Sequence, residues 1–466
     1  MAYLSKPTLR RLLSASALAV TFAANPAFAD SIFTPVVDFT GMVRASGADG
    51  GPIYSDSTVT ISGQRLVPGQ EITLMRGHTV LNADGPLVVD AEGGFEFVLS
   101  VDEDAATGAQ PIVLIAENPA AADIVNLKIS PKLALSGADK FKVSDAPVTN
   151  GLYQVAYSPA SHTVFVASAV GRPPVKESAL TKINAETLEI LAQTSPQAAP
   201  AREDGSDGGV FAIYGIDVDD ANGNVWVTNT RQNTVAVYKQ SDLSLVKQFA
   251  QGTVGHPRDI LVDEINGRAY ASATGSGTIE VFDTKTLEKL EPITLKSRQR
   301  GGNYSAMALD LEDGKLVNVS MSTSEAAIVD LATGEAKVFS VAGAKAASGV
   351  AYDPQDNLIF VASQQSDDLL IVDGETGKVL HDVAVGAQPL NVDFDPVSRN
   401  AFVSVRGANT IAVVDTDGNI VANLEGGTRP NQLRADGEGG IWAVNKTAGK
   451  DDPQGDHLRH IVPLAN

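Results

Sequence analysis

Residues 225–239 read VWVTNTRQNTVAVYK. Two short apolar runs rich in β-branched and aromatic residues flank a polar centre, which is the pattern of a strand, a tight turn and a second strand. A hairpin alone would not fix a fold. The decisive feature is that close relatives of this stretch recur along the chain. The pattern apolar-x-apolar followed by Asp or Ser appears as VAYS ending at Ser158, IDVD at Asp219, ILVD at Asp263, MALD at Asp310, VAYD at Asp353, VDFD at Asp395 and LRAD at Asp436. After a first interval of 61 residues the spacing runs from 41 to 47.

Each of these runs is followed by a second apolar run (VFVAS, VWVTN, AYASA, VNVSM, IFVAS, AFVSV, IWAVN) and by a third (TKIN, AVYK, EVFD, AIVD, LIVD, AVVD, RHIV). Apolar residues on consecutive positions mean that both faces of the strand are covered. A turn such as GETGK then leads into a looser alternating strand such as VLHDVAVG, suited to an edge with one wet face. Four strands per unit at a period near 40 are the signature of a propeller blade. The expected fold is therefore all-β, a seven-bladed β-propeller over 139–466. The extra length of the first unit falls in GRPPVKES and SPQAAPAREDGSDGG, at loop positions. The last unit ends directly after its third strand, which leaves an open edge. DKFKVSDAPV, residues 139–148, is placed to pair with LRHIVPL and close the ring from the N-terminal side.

The segments VTNTRQNTVAVYK, YDPQDNLIFVASQQSDDLLIVDGETGKVL and GAQPLNVDFDPVSRNAFVSVRGANTIAVVDTDGNIV closely resemble the YncE-like YVTN-repeat β-propeller family, over about residues 140–466. The resemblance speaks to fold, since enzymes, dehydrogenase subunits and surface-layer proteins carry similar blades. It also implies DNA binding, with Arg231, Arg258, Arg406 and Arg429 as phosphate contacts.

Residues 1–29 read as a signal peptide: Lys6, Arg10 and Arg11 precede LLSASALAVTFAA, and small Ala27 and Ala29 precede a cut before Asp30. This predicts export to the periplasm, with secretion as the alternative. No later stretch is long and apolar enough for a membrane span. Residues 30–138 lack the repeat. STVTISGQRLVPGQEITLMRG supplies two alternating strands around a PGQ turn, GGFEFVLSVDEDAATGAQPIVLIAE two more, and DIVNLKIS another. The expectation is an N-terminal β-sandwich, and the surroundings of Gly63, Pro68 and Gly69 resemble bacterial Ig-like surface modules.

There are no cysteines, so disulfide staples and thiolate chemistry are excluded. The formal charge is −21, and without Lys6, Arg10 and Arg11 the chain is three charges more negative still. Such a surface repels polyanions unless positive charge is gathered locally. Turns after the first and third strands are acidic, with Asp219, Asp263, Asp353 and Asp395 among them, and the repeating DPQD and DPVS carboxylates suit hydrogen bonds within the turn. The opposite loops carry Arg231, His256, Arg258, Arg406, Arg429 and Lys446, with Asn303, Gln388, Asn391 and Gln432 near the channel; Arg298 and Arg300 are on the same set of loops. Arginine grips carboxylate or phosphate through a planar fork. These residues are the expected binding site for an anionic or polar ligand or a periplasmic protein partner.

No catalytic residues are assigned, because no GxSxG, P-loop or HExxH motif occurs and no histidine is paired with a nucleophile. No metal or cofactor is expected: His457 and His460 point to opposite faces of a strand, and DVDDANGN departs from the EF-hand spacing and reads as a turn. The function expected from the sequence is a non-catalytic binding or scaffold protein. A propeller lactonase-type hydrolase and a DNA binder are the alternatives.

Overall fold

In the computed structural model, residues 36–464 are described; the signal-peptide assignment to residues 1–29 lies outside them. The described chain is built from strands and short 3-10 turns, with nine sheets in all. Seven of these are four-stranded and antiparallel. They are numbered here in chain order: sheet 1 spans 152–194, sheet 2 spans 213–248, sheet 3 spans 257–294, sheet 4 spans 306–340, sheet 5 spans 347–384, sheet 6 spans 389–425, and sheet 7 joins 430–463 to 141–147. The first strand of each sheet packs on the first strand of the next, and the first strand of sheet 7 packs on that of sheet 1. The architecture is a β-propeller preceded by a two-sheet unit.

The burial pattern follows from this arrangement. Thr163–Val170 is buried at its first seven positions and Leu358–Ser363 throughout, whereas the outermost strands Ile190–Thr194 and Val379–Ala384 alternate or lie open. Apolar clusters fill the gaps between sheets rather than one common centre: Phe360, Leu369 and Ile371 of sheet 5 pack with Val392, Phe394 and Val403 of sheet 6. Trp442, Val444 and Leu458 of sheet 7 pack in the same way with Leu152, Val155 and Val164 of sheet 1. The open edge is sealed as anticipated. Phe141–Pro147 pairs antiparallel with His457–Pro463, from Pro147 opposite His457 to Phe141 opposite Pro463.

Where the innermost strands converge, side chains must be small. A Cβ on Gly349 would lie 2.5 Å from the Asn391 backbone, and one on Gly215 would lie 2.7 Å from the Arg258 carbonyl oxygen. Both positions are in first strands, and both are closed to any larger residue by the neighbouring sheet.

One repeat register needs correcting. Asp310 does not end its strand. It pairs with Val317, as Asp217 pairs with Trp226, while Glu312 opposite Lys315 is the counterpart of Asp219 opposite Asn224. The segment MALDLE carries acids at both positions, and the side-chain period of two makes them indistinguishable by pattern.

The two-sheet unit occupies Met42–Ile129. One sheet holds Met42–Ser46, Ser57–Gln64 and Phe95–Val101; the other is built around Glu71–Arg76, Gly108–Glu117 and Ala121–Ile129. They enclose Val59, Ile61, Leu74, Leu114 and Val125, all buried. The two strands flanking the PGQ turn are thus in different sheets rather than a hairpin. The connecting segment runs onto sheet 6, where Ser136 exchanges both backbone hydrogen bonds with Asn423 at 2.9 and 3.0 Å. Among the described residues, no helix is long and apolar enough to cross a membrane.

Candidate ligand site at the channel mouth

Residues 225–239 show how the mouth is made. Asn224–Asn229 and Thr234–Lys239 are joined by a 3-10 turn at Thr230–Gln232, closed by Asn233 in the left-handed region (φ 55°). Inside the turn, Gln232 is buried and tied to sheet 2's own entry: its Oε1 accepts from the Ala212 backbone at 3.0 Å and its Nε2 donates to the Val210 carbonyl at 3.0 Å. Asn233 Oδ1 accepts from the His256 backbone N–H at 2.9 Å, which holds the entry to sheet 3. The device repeats. Asp367 accepts from Gln388 at 2.8 Å, Asn409 from Arg429 at 2.9 Å and Asp456 from Leu152 at 3.1 Å. His256, Gln388 and Arg429 are themselves at positive φ, so each strand entry is pinned in a conformation that non-glycine residues adopt only under such constraint.

These turns bring cations together over a cavity of about 280 Å³, lined by Arg231, His256, Arg258, Tyr153, Tyr214, Met307, Leu390, Asn391 and Asn431, among others. The tyrosine rings of Tyr153 and Tyr214 meet edge to face with centroids 4.1 Å apart. Arg231 Nε donates to the Tyr214 hydroxyl at 3.2 Å. On the other side, the Lys446 Nζ lies 3.0 Å from the centre of the Tyr153 ring. Arg406 Nη1 donates to Asn431 Oδ1 at 2.7 Å, and Asn431 Nδ2 donates to the Tyr153 carbonyl at 2.6 Å. Asn391 Nδ2 in turn donates to the Asn431 carbonyl at 2.6 Å. A second cavity of about 540 Å³ shares the Tyr153 wall and is lined by Lys446, Lys450, Asp452 and Asp456.

The electrostatics of the mouth are unbalanced. Among the described residues, none of Arg231, Arg258, Arg406, Arg429 and Lys446 has a carboxylate within 4.0 Å. Burial, then the charges of Arg406 and Arg429, hold the Lys446 amine down to about 7, with Asp456 opposing. Burial and the neighbouring Arg429 and Arg258 lower Arg406, burial lowers Arg258, and burial with Arg231 lowers His256. Neighbouring cations contribute to the shifts of Arg406, Lys446 and His256, whereas Arg258 is lowered by burial against the opposing charge of Asp259.

Deeper in the channel the sign reverses. Asp217, Asp259, Asp310 and Asp393 each accept a backbone N–H from the first strand of the next sheet, at 2.8, 3.1, 2.7 and 2.8 Å. Gln154 does the same for sheet 2 at 3.1 Å and Gln432 for sheet 1 at 2.9 Å, and Ser348 donates to the Leu390 carbonyl at 2.7 Å. Side chains thus lace all seven junctions. Arg434 is the cation facing these four aspartates, and their charges raise its pKa despite burial.

Of the expected site residues, Arg231, His256, Arg258 and Asn391 line the cavity; Arg406 and Lys446 stand behind its wall, on Asn431 and Tyr153 respectively, and Arg429 is not among its lining residues. Asn303 reaches only the Gly275 carbonyl at 3.5 Å, Gln388 is exposed beside Asp367, and Gln432 is committed to the sheet junction, so none of the three lines the cavity. Arg298 Nη1 turns outward to the Val338 carbonyl at 3.3 Å. The sequence reading missed Gln154, Asn431, Met307 and Leu390 as lining residues; their position in first strands, near the repeat's Asp, was the available signal. His457 and His460 have separate carboxylate partners, Asp145 and Asp436, each at 2.7 Å, and His460 stacks on Trp442 at 3.9 Å. Among the described residues, no group of three or more His, Cys, Asp or Glu could hold a metal ion. In DVDDANGN, Asp219 accepts from the Asn222 backbone at 3.1 Å, and the segment is a turn.

No family model matches the chain, and no curated protein matches it. Solved structures do. A virginiamycin B lyase from Staphylococcus aureus aligns with a TM-score of 0.53 at 14% identity, over 70% of this chain and 100% of that one. A hydrazine synthase of Kuenenia stuttgartiensis aligns at 0.52 and 16%, over 68% and 96%. A catalytically inactive form of the Staphylococcus lyase with quinupristin aligns at 0.51 and 13%, over 70% and 100%. These likenesses support the propeller fold and stop there.

Proposed function

We propose that this chain is an exported, non-catalytic binding protein whose propeller mouth captures a small anion. In this reading residues 1–29 are a signal peptide, 30–138 an Ig-like module, and 139–466 a YncE-like seven-bladed propeller in the periplasm. The seven four-stranded sheets, in cyclic contact and sealed by 141–147, support the blade count.

The observation that carries the functional reading is a set of five side-chain cations at the mouth with no carboxylate within 4.0 Å of any, Arg231 and Arg258 lining the cavity and Arg406 and Lys446 standing on its lining residues Asn431 and Tyr153. In a protein of net charge −21, the acids nearest the mouth, Asp452 and Asp456, are already bound to Thr428 and the Leu152 N–H. Like charges held together without a counterion cost stability, and an incoming anion relieves that cost. A fixed cationic pocket on a rigid scaffold is the arrangement that converts this relief into affinity.

The test is thermal denaturation of the mature protein across a panel of small organic anions, with Arg258→Gln and Arg406→Gln beside it. An anion present at 100 times its Kd stabilises by about 2.7 kcal/mol. The expected result is an upward shift in Tm that both variants reduce. A panel with no stabilising anion, or a hit that both variants keep in full, would remove the mouth as the site. Cell fractionation and N-terminal sequencing, with Asp30 as the expected first residue, check export.

A further inference from the structure

We infer that the mouth takes a compact dianionic head of the phosphate-monoester class carried on an apolar body, and that Lys446 takes up a proton as this ligand enters. The inference rests on the anion-binding reading above and names its ligand class.

Three observations carry it. First, Asn431 holds the Arg406 guanidinium at 2.7 Å and the Tyr153 carbonyl at 2.6 Å, Lys446 stands 3.0 Å from the centre of the Tyr153 ring, and the charges of Arg258 and Arg429 reach Arg406. A single carboxylate is satisfied by one planar fork. Several cations around one centre match a head that packs two charges and three acceptor oxygens into one point. Second, the wall is largely apolar, with Tyr153, Tyr214, Met307 and Leu390 beside the arginines. Aromatic faces at this position accommodate an organic body rather than inorganic phosphate alone. Third, the cavity of about 280 Å³ is lined by first-strand residues of several sheets, Tyr153, Tyr214, Met307 and Leu390 among them, and its size suits a small molecule better than a polymer backbone.

Lys446 is the adjustable charge. It faces Tyr153 from sheet 1, Arg406 from the 406–409 turn, Arg429 from the entry to sheet 7, and Asp456, Asp452 and Lys450 from its own loop. The two aspartates are already engaged, Asp456 by the Leu152 N–H and Asp452 by Thr428 and Ala448. With the site empty, burial and the two arginines keep the amine near half-protonation at about 7. A dianion on Arg406 cancels the repulsion, so the amine returns toward its ordinary range and binds a proton. The sign follows: affinity falls as pH rises above about 7. It also falls below about 6, where a phosphate monoester loses its second charge.

The experiment is isothermal titration of phenyl phosphate and of benzoate into the mature protein, in buffers of different ionisation enthalpy, with Lys446→Met and Lys446→Arg. The expected result is that phenyl phosphate binds at least about tenfold more tightly than benzoate at pH 7. Close to one proton should be taken up per ligand at pH 8, and this uptake should vanish in both variants, Lys446→Arg retaining the affinity that Lys446→Met loses. Equal affinity for the two probes overturns the dianion; proton uptake absent in the parent protein, or persisting in Lys446→Met, overturns the role of Lys446. In either case anion binding at the mouth stands. If neither probe nor any other small anion binds, both readings fall. A single-stranded oligonucleotide that binds while phenyl phosphate does not would reassign the face to nucleic acid.

Discussion

Arg434 and the aspartates around it show how much a single side chain decides. Asp217, Asp259, Asp310 and Asp393 serve as hydrogen-bond acceptors between sheets, yet they crowd negative charge into the channel, and Arg434 is the cation that answers them. Arg434→Met should lower stability at pH 7.5, because it removes the cation whose charge offsets these carboxylates. The loss, read as a fall in Tm, should be smaller at pH 5, where Asp217 and Asp393 take up protons. Stability of the parent protein should carry the same signature. Burial pushes Asp217 up to about 6 and raises Asp310 and Asp393 as well. A carboxyl whose folded pKa lies above its unfolded value of about 4 favours the native state most at low pH, and that contribution is lost as pH rises through about 6. Asp393→Asn keeps the acceptor for the Ala435 N–H and removes one titrating group, so the decline in Tm between pH 5 and pH 8 should flatten. A variant with an unchanged pH slope would mean Asp393 keeps its ordinary ionisation.

At the scale of elements, the strand Phe141–Pro147 supplies the outermost strand of sheet 7. It covers the edge of His457–Pro463, and Phe141 anchors it by meeting Phe402 of sheet 6 edge to face at 6.2 Å. Phe141→Ala should therefore cost about 3 kcal/mol through the cavity it leaves, measured by urea unfolding. Deleting residues 141–147 should do more than lower stability: an unpaired edge is a template for association, so light scattering should report aggregation at concentrations where the parent is clear. A deletion variant that stays monomeric would show the edge to be protected by other means. The strand was legible in the sequence because a missing fourth strand has to be supplied from somewhere. The fourth repeat was read two residues out of register, because Asp310 and Glu312 satisfy the same alternation and only pairing with Val317 and Lys315 separates them.

For the whole molecule, the point of interest is how the leading two-sheet unit meets the propeller. Lys128, a quarter exposed, donates to Asp367 at 2.6 Å and to the Gln364 carbonyl at 3.1 Å; Asp367 is only 2% exposed. That same carboxylate holds the entry to sheet 6 through Gln388. Lys128→Ala would leave a buried charge short of its cation, so limited proteolysis should cut the 130–137 segment faster, with cleavage located by mass spectrometry. Unchanged cleavage would show that the Ser136–Asn423 backbone bridge suffices to hold the segment. Nothing in the sequence marks Lys128 and Asp367 as partners, since they are 239 residues apart and belong to unrelated patterns.

What the sequence determined alone was what repeats: the strand type, the period, the turn chemistry of Asn, Asp and Gly, and the need for a closing strand, because local preference and hydrophobic alternation are written at short range. It also marked seven of the mouth's polar residues, since arginine at successive equivalent turns must converge when the units are arranged radially. Only the tertiary structure decided which of them look into the cavity, that Gln432 serves the scaffold and Gln388 lies exposed instead, and that Arg434 faces four aspartates. Those outcomes depend on which way a side chain points across a junction between sheets, and in a strand a shift of one residue reverses it.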